Sequence, residues 1–382
     1  MKILKCDILY PFNYLEEKQL ESEKAIASMD LEQYMAWLHA LRMGFYNLFS
    51  RELGLIRDDV FELFYQDDLQ FNKIVSEYNL KFSFFSLFTP KGFKWWRDIT
   101  VAELKSAILD IASRVELIKR IQLRIFIDQF SPDIIFLREP CQIDNNFWLP
   151  YKEKIKIVTM IGCNISHPIN WRPHNSDIVF TITNEFNEFF KLNGINSHLI
   201  EYGFDPHLIK ELEIGRKIYD VTFVGLLGTA DQLKKTQFLE IISSQCDFKW
   251  WGPKGALIKQ FPGLLSSWQG IVAGKEMYQV YAYSKIVLND YVHSNGDNAV
   301  NLRFKEVMGS GSFLLTRHAS NLIELESLNL FQTFSGTEEC IQKIQYYLSN
   351  EYERESCALN GQEYVFKNHN YAQIIHEIRK KF

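Results

Sequence analysis

SKIVLNDYVHSNGDNAVNLRFKEVMGSGSFLLT, residues Ser284–Thr316, decides the fold. Its apolar run Ile286–Asn289 has the length of a buried strand. A polar loop carrying His293, Asp297 and Asn298 follows it. Asn301–Met308 then reads as a helix, Gly309 and Gly311 permit a close turn, and Ser312–Thr316 is a second buried strand. Two short apolar strands joined through a helix form a βαβ crossover, which sets them parallel in one sheet.

The same alternation extends outward in both directions. Upstream lie strand Asp220–Val224, helix Lys234–Ser244, strand Phe248–Trp251 and helix Lys275–Tyr283; downstream are helices Thr337–Ser349, Glu351–Phe366 and Ala372–Lys380. The N-terminal half gives a second series of strands: Ile3–Tyr10, Val60–Tyr65, Asp133–Leu137, Lys156–Met160, Asp177–Thr181 and His198–Ile200. One helix is expected from Asp30 through Phe49. A long one runs from the Thr100–Glu103 capping box to Phe130, and Glu185–Asn193 is capped by Asn184 and ended by Gly194. The stretch Phe82–Trp96 is aromatic and irregular, suited partly to burial and partly to a cleft or partner surface. Asp205–Lys217 is polar and without periodicity, so a boundary is expected there. Two α/β series predict two Rossmann-like doubly wound domains, 1–204 and 205–382. Ligands would bind beyond the carboxyl ends of the strands, in the cleft the two domains face across.

With 382 residues, 47% hydrophobic and 23% charged, the chain can fill two cores and is not a disordered polymer. A net charge of −5, with no long Lys/Arg run, argues against a nucleic-acid surface. Six scattered cysteines with no C-x-x-C pair fit a reducing, cytoplasmic compartment rather than zinc or disulfides. The N-terminus lacks the apolar run of a signal peptide, and no stretch of about 18 apolar residues suggests a transmembrane segment.

Two constellations can carry chemistry. Gly225-Leu-Leu-Gly228-Thr229 directly follows a strand, where glycines let backbone amides approach a phosphate; a tight strand-to-helix turn is an equal reading. In Asn301–Gly311, Arg303 and Glu306 share a helix face. The guanidinium suits a phosphate and the carboxylate a ribose diol, while a surface ion pair of little consequence remains open. Gly252, after Trp250 and Trp251, could let a base approach the backbone, although packing explains the tryptophans as well. Glu139 and His167 each sit just past a strand and are candidates for the general base on an acceptor hydroxyl; a structural polar role is the alternative.

Residues Ser284–Thr316 resemble the C-terminal signature of CgeB-like, or spore-maturation-type, glycosyltransferases, with a segment like N-x-R-x-x-E-x-x-x-x-G before an apolar strand. The tail IQKIQYYLSNEYERESCALNGQEYVFKNHNY and the opening DVTFVG are similar to that family too, and FELFYQDDLQ, SPDIIFL and YGFDP more faintly. The resemblance implies a GT-B fold and transfer of a sugar from a nucleotide donor, UDP- or GDP-linked, to a saccharide, lipid-linked or protein acceptor. It places donor binding in the C-terminal domain. Glu306 takes the place of the ribose-binding glutamate, and Arg303 with the Gly225–Gly228 turn takes the phosphate places. Asn298 stands where the wider retaining pattern has a second glutamate, which leaves inversion or retention open. The expectation is a cytoplasmic or membrane-peripheral transferase with no metal and no cofactor beyond its nucleotide-sugar substrate. The last helix is expected to cross back to the first domain. The rival readings are a sugar-nucleotide epimerase on the same fold and a non-catalytic binding protein.

Overall fold

The computed structural model describes residues 1–7, 12–44, 48–90, 93–139, 143, 145–161, 176–290 and 302–382. Two compact units emerge. One comprises residues 1–8, 22–37 and 54–179; the other comprises 9–21, 38–53 and 180–382. Residue 204, where the sequence suggests a boundary, lies inside the second unit.

The first sheet is built from β1 (Lys2–Asp7), β2 (Asp59–Phe64), β3 (Ile134–Glu139), β4 (Lys156–Ile161), β5 (Ile178–Thr181) and β6 (Ser197–Leu199), in the order β2-β1-β3-β4-β5-β6. β1 pairs in parallel with β2 and β3, and β3 with β4. Leu4, Cys6, Leu63, Ile135 and Leu137 enter a core closed by Phe126, Phe130, Phe147 and Trp148. Charged side chains are buried on this sheet as well. Lys5, fully inaccessible, sits 2.9 Å from Asp7 and 3.3 Å from Glu62. Burial opposes its charge, but the Asp7 and Glu62 carboxylates outweigh that and hold its pKa above the usual value.

Two long helices of the sequence reading are interrupted. The Thr100–Glu103 capping box forms as expected, but the helix it opens, Val101–Leu109, stops at Asp110. Asp110 has extended backbone angles and accepts from the Ser113 amide at 2.6 Å, so it starts a second helix, Ile111–Phe130. A local side-chain bond here outcompetes helix continuation. The expected Asp30–Phe49 helix likewise ends after Leu31–Ala40. Arg42 and Gly44 both adopt positive φ, and the Arg42 guanidinium forks onto Glu211.

The second sheet contains β7 (Tyr219–Val224), β8 (Phe248–Trp251), β9 (Ser284–Asn289), β10 (Phe313–Arg317) and β11 (Gln332–Phe334). Its order is β11-β10-β9-β7-β8, parallel throughout. Its strands read as continuous apolar runs because both faces are covered. Ile286, Leu288, Phe313 and Leu315 enter one core, and Val287 and Leu314 the other. The polar stretch after residue 204 is well anchored. Asp205 caps the short helix Pro206–Glu211 and receives two bonds from Arg51, at 2.8 and 3.0 Å. Phe204 takes the His369 carbonyl and offers its own to Tyr371, which starts the last helix, Tyr371–Arg379. That helix lines a groove with Phe180, Asn187 and His198.

Gly309 ends the helix Arg303–Gly309 against the Phe204 ring, where a β-carbon would lie 2.3–2.7 Å from three ring atoms. Gly309→Ala should therefore cost about 1–3 kcal/mol through overpacking and lower the thermal midpoint by several degrees. Gly54→Ala, with nothing within 4 Å of the added carbon, serves as its control and should not lower it. Equal midpoints for the two variants would contradict the packing argument.

Candidate functional site

In the second sheet β7 has β8 on one side and β9 on the other, so the strand order reverses at β7. The carboxyl ends of such neighbouring strands open a crevice. Gly225 follows β7, Gly252 follows β8, Asp290 follows β9, and Arg317 ends β10. The first two glycines meet directly. The Gly225 amide donates to the Trp251 carbonyl at 2.8 Å. A β-carbon on Gly252, whose φ is +143°, would lie 2.1 Å from the Gly225 oxygen. Gly228, at φ +80°, is pressed against Ile258 and donates to Thr236 Oγ1 at 3.0 Å. The Gly255 amide donates to the Leu227 carbonyl at 2.7 Å, and the Leu257 amide to that of Gly228 at 2.8 Å. Gly228 and Gly252 are thus required by the meeting of two turns, before any ligand is considered. The Thr229 hydroxyl oxygen is buried beside them without a hydrogen bond among the described residues. Trp250 and Trp251 are core residues, and the Trp250 indole donates to the Leu264 carbonyl at 2.6 Å.

The charged triple of the helix Arg303–Gly309 separates in three directions. Arg303 turns toward the sheet edge. Its Nε donates to the Tyr281 hydroxyl at 2.9 Å, and its Nη1 lies 3.2 Å from where a Gly225 β-carbon would be. Lys305 turns to the C-terminal segment, 2.7 Å from His369 Nε2, while His369 Nδ1 lies 2.9 Å from Glu201. Burial pushes Lys305 down to about 8, against the pull of Glu201. Glu306 points inward and is 6% exposed, which the surface-pair reading of the sequence does not allow. Burial raises its pKa; Arg303 and a 3.4 Å contact from the Tyr278 hydroxyl work the other way.

Four residues that the sequence reading did not single out complete the arrangement. Tyr281 is fully buried beneath Arg303. Arg317 grips Asp290 with Nε and Nη2, at 2.8 and 3.0 Å, and stacks over Phe238 and Phe334. Lys235, on the helix Leu233–Ser243, lies over Phe223. Burial lowers it to about 8; Asp290 opposes this, and Arg303 and Arg317 add to it. Among the described residues, Lys235 has no carboxylate within ion-pair distance. Its signal in the sequence is a lysine on the helix that follows the Gly225–Gly228 turn. Nothing local marks Arg317 and Asp290, which approach only because β9 and β10 are neighbours.

Glu139 ends β3 with its backbone in register with Ile161, and its side chain lies outside the described residues. His167, Asn301, His293, Asp297 and Asn298 also lie outside them. Among the described residues no group of three or more His, Cys, Asp or Glu is placed to hold a metal. No helix among them is long and apolar enough to cross a membrane.

The fold has counterparts among known proteins. Residues 232–380 match a family described as glycosyl transferase-like. A glycosyltransferase from Rickettsia africae covers 100% of this chain and 97% of its own, at 12% identity and a TM-score of 0.55. HepE from Anabaena, solved with UDP, aligns over 68% of this chain and 81% of its own, at 13% identity and a TM-score of 0.47. Sucrose-phosphate synthase from Thermosynechococcus elongatus covers 69% and 76%, at 12% identity and a TM-score of 0.47. No curated protein matches by sequence. The fold is GT-B, and residues 232–380 carry a glycosyl transferase-like domain.

Lys235 offers a direct check. Its amine should titrate near pH 8 in site-resolved labelling or NMR of the lysines, and inorganic pyrophosphate should move the midpoint upward. Because the folded value is depressed, the unfolded chain binds the extra proton between about pH 8 and the ordinary lysine value of 10.5. This group therefore makes stability rise with pH across that window. A midpoint at the ordinary lysine value would contradict the burial described.

Proposed function

We propose that the protein transfers a sugar from a nucleoside diphosphate donor to a hydroxyl acceptor, with the donor held at the carboxyl edge of the second sheet. One observation carries this reading: a buried carboxylate, Glu306, shares a short helix with Arg303, at a crevice that also gathers Lys235 and Arg317. An isolated buried carboxylate is costly, and a ribose diol donating to it would offset that cost. Arg303 and Arg317 both disfavour a charged Lys235, and a further anion beside them would favour it. A departing diphosphate develops negative charge, and fixed Arg, Lys and amide donors stabilise it without reorganising. Gly225, Gly228, Thr229 and Gly252 form the floor on which the donor would lie, and Asn301 precedes the site helix.

The acceptor would be met by residues 1–204, with Glu139 or His167 taking the proton from its hydroxyl, and residues 205–382 would hold the donor. UDP or GDP as the leaving group, membership of the CgeB-like subfamily, and a saccharide, lipid-linked or protein acceptor in cell-surface glycosylation complete the proposal. It includes a cytoplasmic site of action and a reaction needing neither cofactor nor metal. Turnover should accordingly persist in excess EDTA, and activity restored only by magnesium would overturn that part.

Calorimetry of UDP and GDP tests the donor site. Glu306→Ala leaves ribose hydroxyls without their acceptor, at about 1–3 kcal/mol, or up to about a hundredfold in affinity. Arg303→Ala should weaken the diphosphate more than the free nucleoside. Unchanged affinities in two folded variants would remove the donor from this helix. Glu139→Gln or His167→Ala should slow turnover by at least about tenfold if that residue is the base, with donor affinity nearly intact.

A further inference from the structure

The first unit exposes an apolar ridge that the donor site does not explain. The short helix Phe84–Phe88 leaves Phe85 78% exposed and Phe88 more than half exposed. At the corner between the helices Val101–Leu109 and Ile111–Phe130, Leu109 and Ile111 are 76% and 73% exposed, and Ile108 and Val115 are exposed beside them. Arg114 joins the two groups. Its guanidinium lies 5.0 Å from the Phe84 ring centre and donates to the carbonyls of Ala107 and Ile108 at 2.9 and 3.1 Å. Phe84 in turn meets Phe85 and Phe88, and Phe88 meets Trp96. The corner and the aromatic helix are therefore one surface, held by backbone bonds and ring contacts.

The segment around this ridge is basic on balance. From Glu77 to Arg120 the sequence holds eight Lys or Arg against five Asp or Glu, in a chain whose net charge is −5. Lys81, Lys94 and Lys105 are exposed, and Lys94 lies 4.4 Å over the Trp95 ring. Three of the neighbouring acids take part in local hydrogen bonds. Asp110 caps the helix that follows it, Glu103 serves the Thr100 cap and Arg120, and Glu116 accepts from Tyr65 at 2.6 Å.

We propose that this ridge docks the protein on the surface of an anionic lipid bilayer. Projecting Phe, Ile and Leu side chains, tryptophan and a lysine rim are what an interfacial segment uses: apolar atoms enter the acyl boundary while ammonium groups remain among anionic headgroups. A crevice for a peptide would be concave, whereas these side chains project from a helix corner. The lysine rim would favour acidic headgroups over zwitterionic ones, with an attraction that salt screens.

Sedimentation with vesicles tests the assignment. The full chain should bind phosphatidylglycerol–phosphatidylcholine vesicles at least about tenfold more tightly than phosphatidylcholine alone, and added salt should weaken that binding. Phe85→Ser/Phe88→Ser and Leu109→Ser/Ile111→Ser should each lose most of it, with thermal midpoints unchanged because the side chains are exposed. Lys94→Glu/Lys105→Glu should lose the preference for acidic lipid while retaining the fold. Binding equal in both vesicles and in all variants would overturn the proposal. So would failure to bind either vesicle. A concentration-dependent dimer abolished by Leu109→Ser/Ile111→Ser would assign the ridge to a second copy instead.

Discussion

The carboxyl edge of the second sheet depends on two backbone turns touching with no side chain between them. Gly252 sits so close to the Gly225 carbonyl that a methyl group there would lie 2.1 Å from its oxygen, and Gly255 meets the Gly228 carbonyl at 2.3 Å in the same way. The bonds that join the turns, from Gly255 to Leu227 and from Leu257 to Gly228, form only at this separation. The Gly228 amide also bonds Thr236 Oγ1 on the helix Leu233–Ser243, beside Lys235, which stands over Phe223. An alanine at either Gly252 or Gly255 would part the turns and move that lysine. A requirement for glycine at these positions thus serves packing and the crevice together.

How charges are buried separates structural groups from the others. Lys5 lies between two carboxylates, and their attraction exceeds the desolvation of the ammonium. Asp205 is likewise matched by a forked guanidinium. Such groups are stable as they stand. Lys235 is different: its burial is not compensated by a contacting carboxylate, and its charged form is correspondingly disfavoured. Glu306 is disfavoured in the opposite sense, as an acid pressed toward its neutral form. An acid and a base, both displaced toward neutrality and both near Arg303, mark a place where folding alone does not satisfy the charges.

The parallel architecture was legible because its strands are short apolar runs with helices between them. Asp220–Val224, Phe248–Trp251 and Ile286–Asn289 all lie within observed strands, and the Thr100–Glu103 box starts a helix where its spacing requires one. Breaks within helices were not legible. Asp110 lies inside an otherwise continuous helical pattern, and its bond to the Ser113 amide makes it the cap of a new helix. Arg42 reaches positive φ where its guanidinium pairs with a glutamate 169 residues away, which no local pattern contains. The candidate site divides similarly. Arg303 and Glu306 share a local motif, whereas Arg317, Asp290 and Lys235 meet through strand order.

The three cations at the crevice differ in how firmly they are held, and that difference bears on how a donor would be gripped. Arg317 is fixed by two bonds to Asp290 and by two rings, so much of its charge is already answered. Arg303 is oriented by the Tyr281 hydroxyl, to which its Nε donates. Lys235 has no carboxylate within ion-pair distance among the described residues and lies over the Phe223 ring. A diphosphate would therefore gain most from Lys235, with Asp290 and Arg317 acting chiefly to shape the wall. Its arrival would also restore the Lys235 proton, since a nearby anion favours the charged amine as burial disfavours it. Donor binding would then draw a proton from solution above about pH 8, coupling occupancy of the crevice to the charge of one lysine.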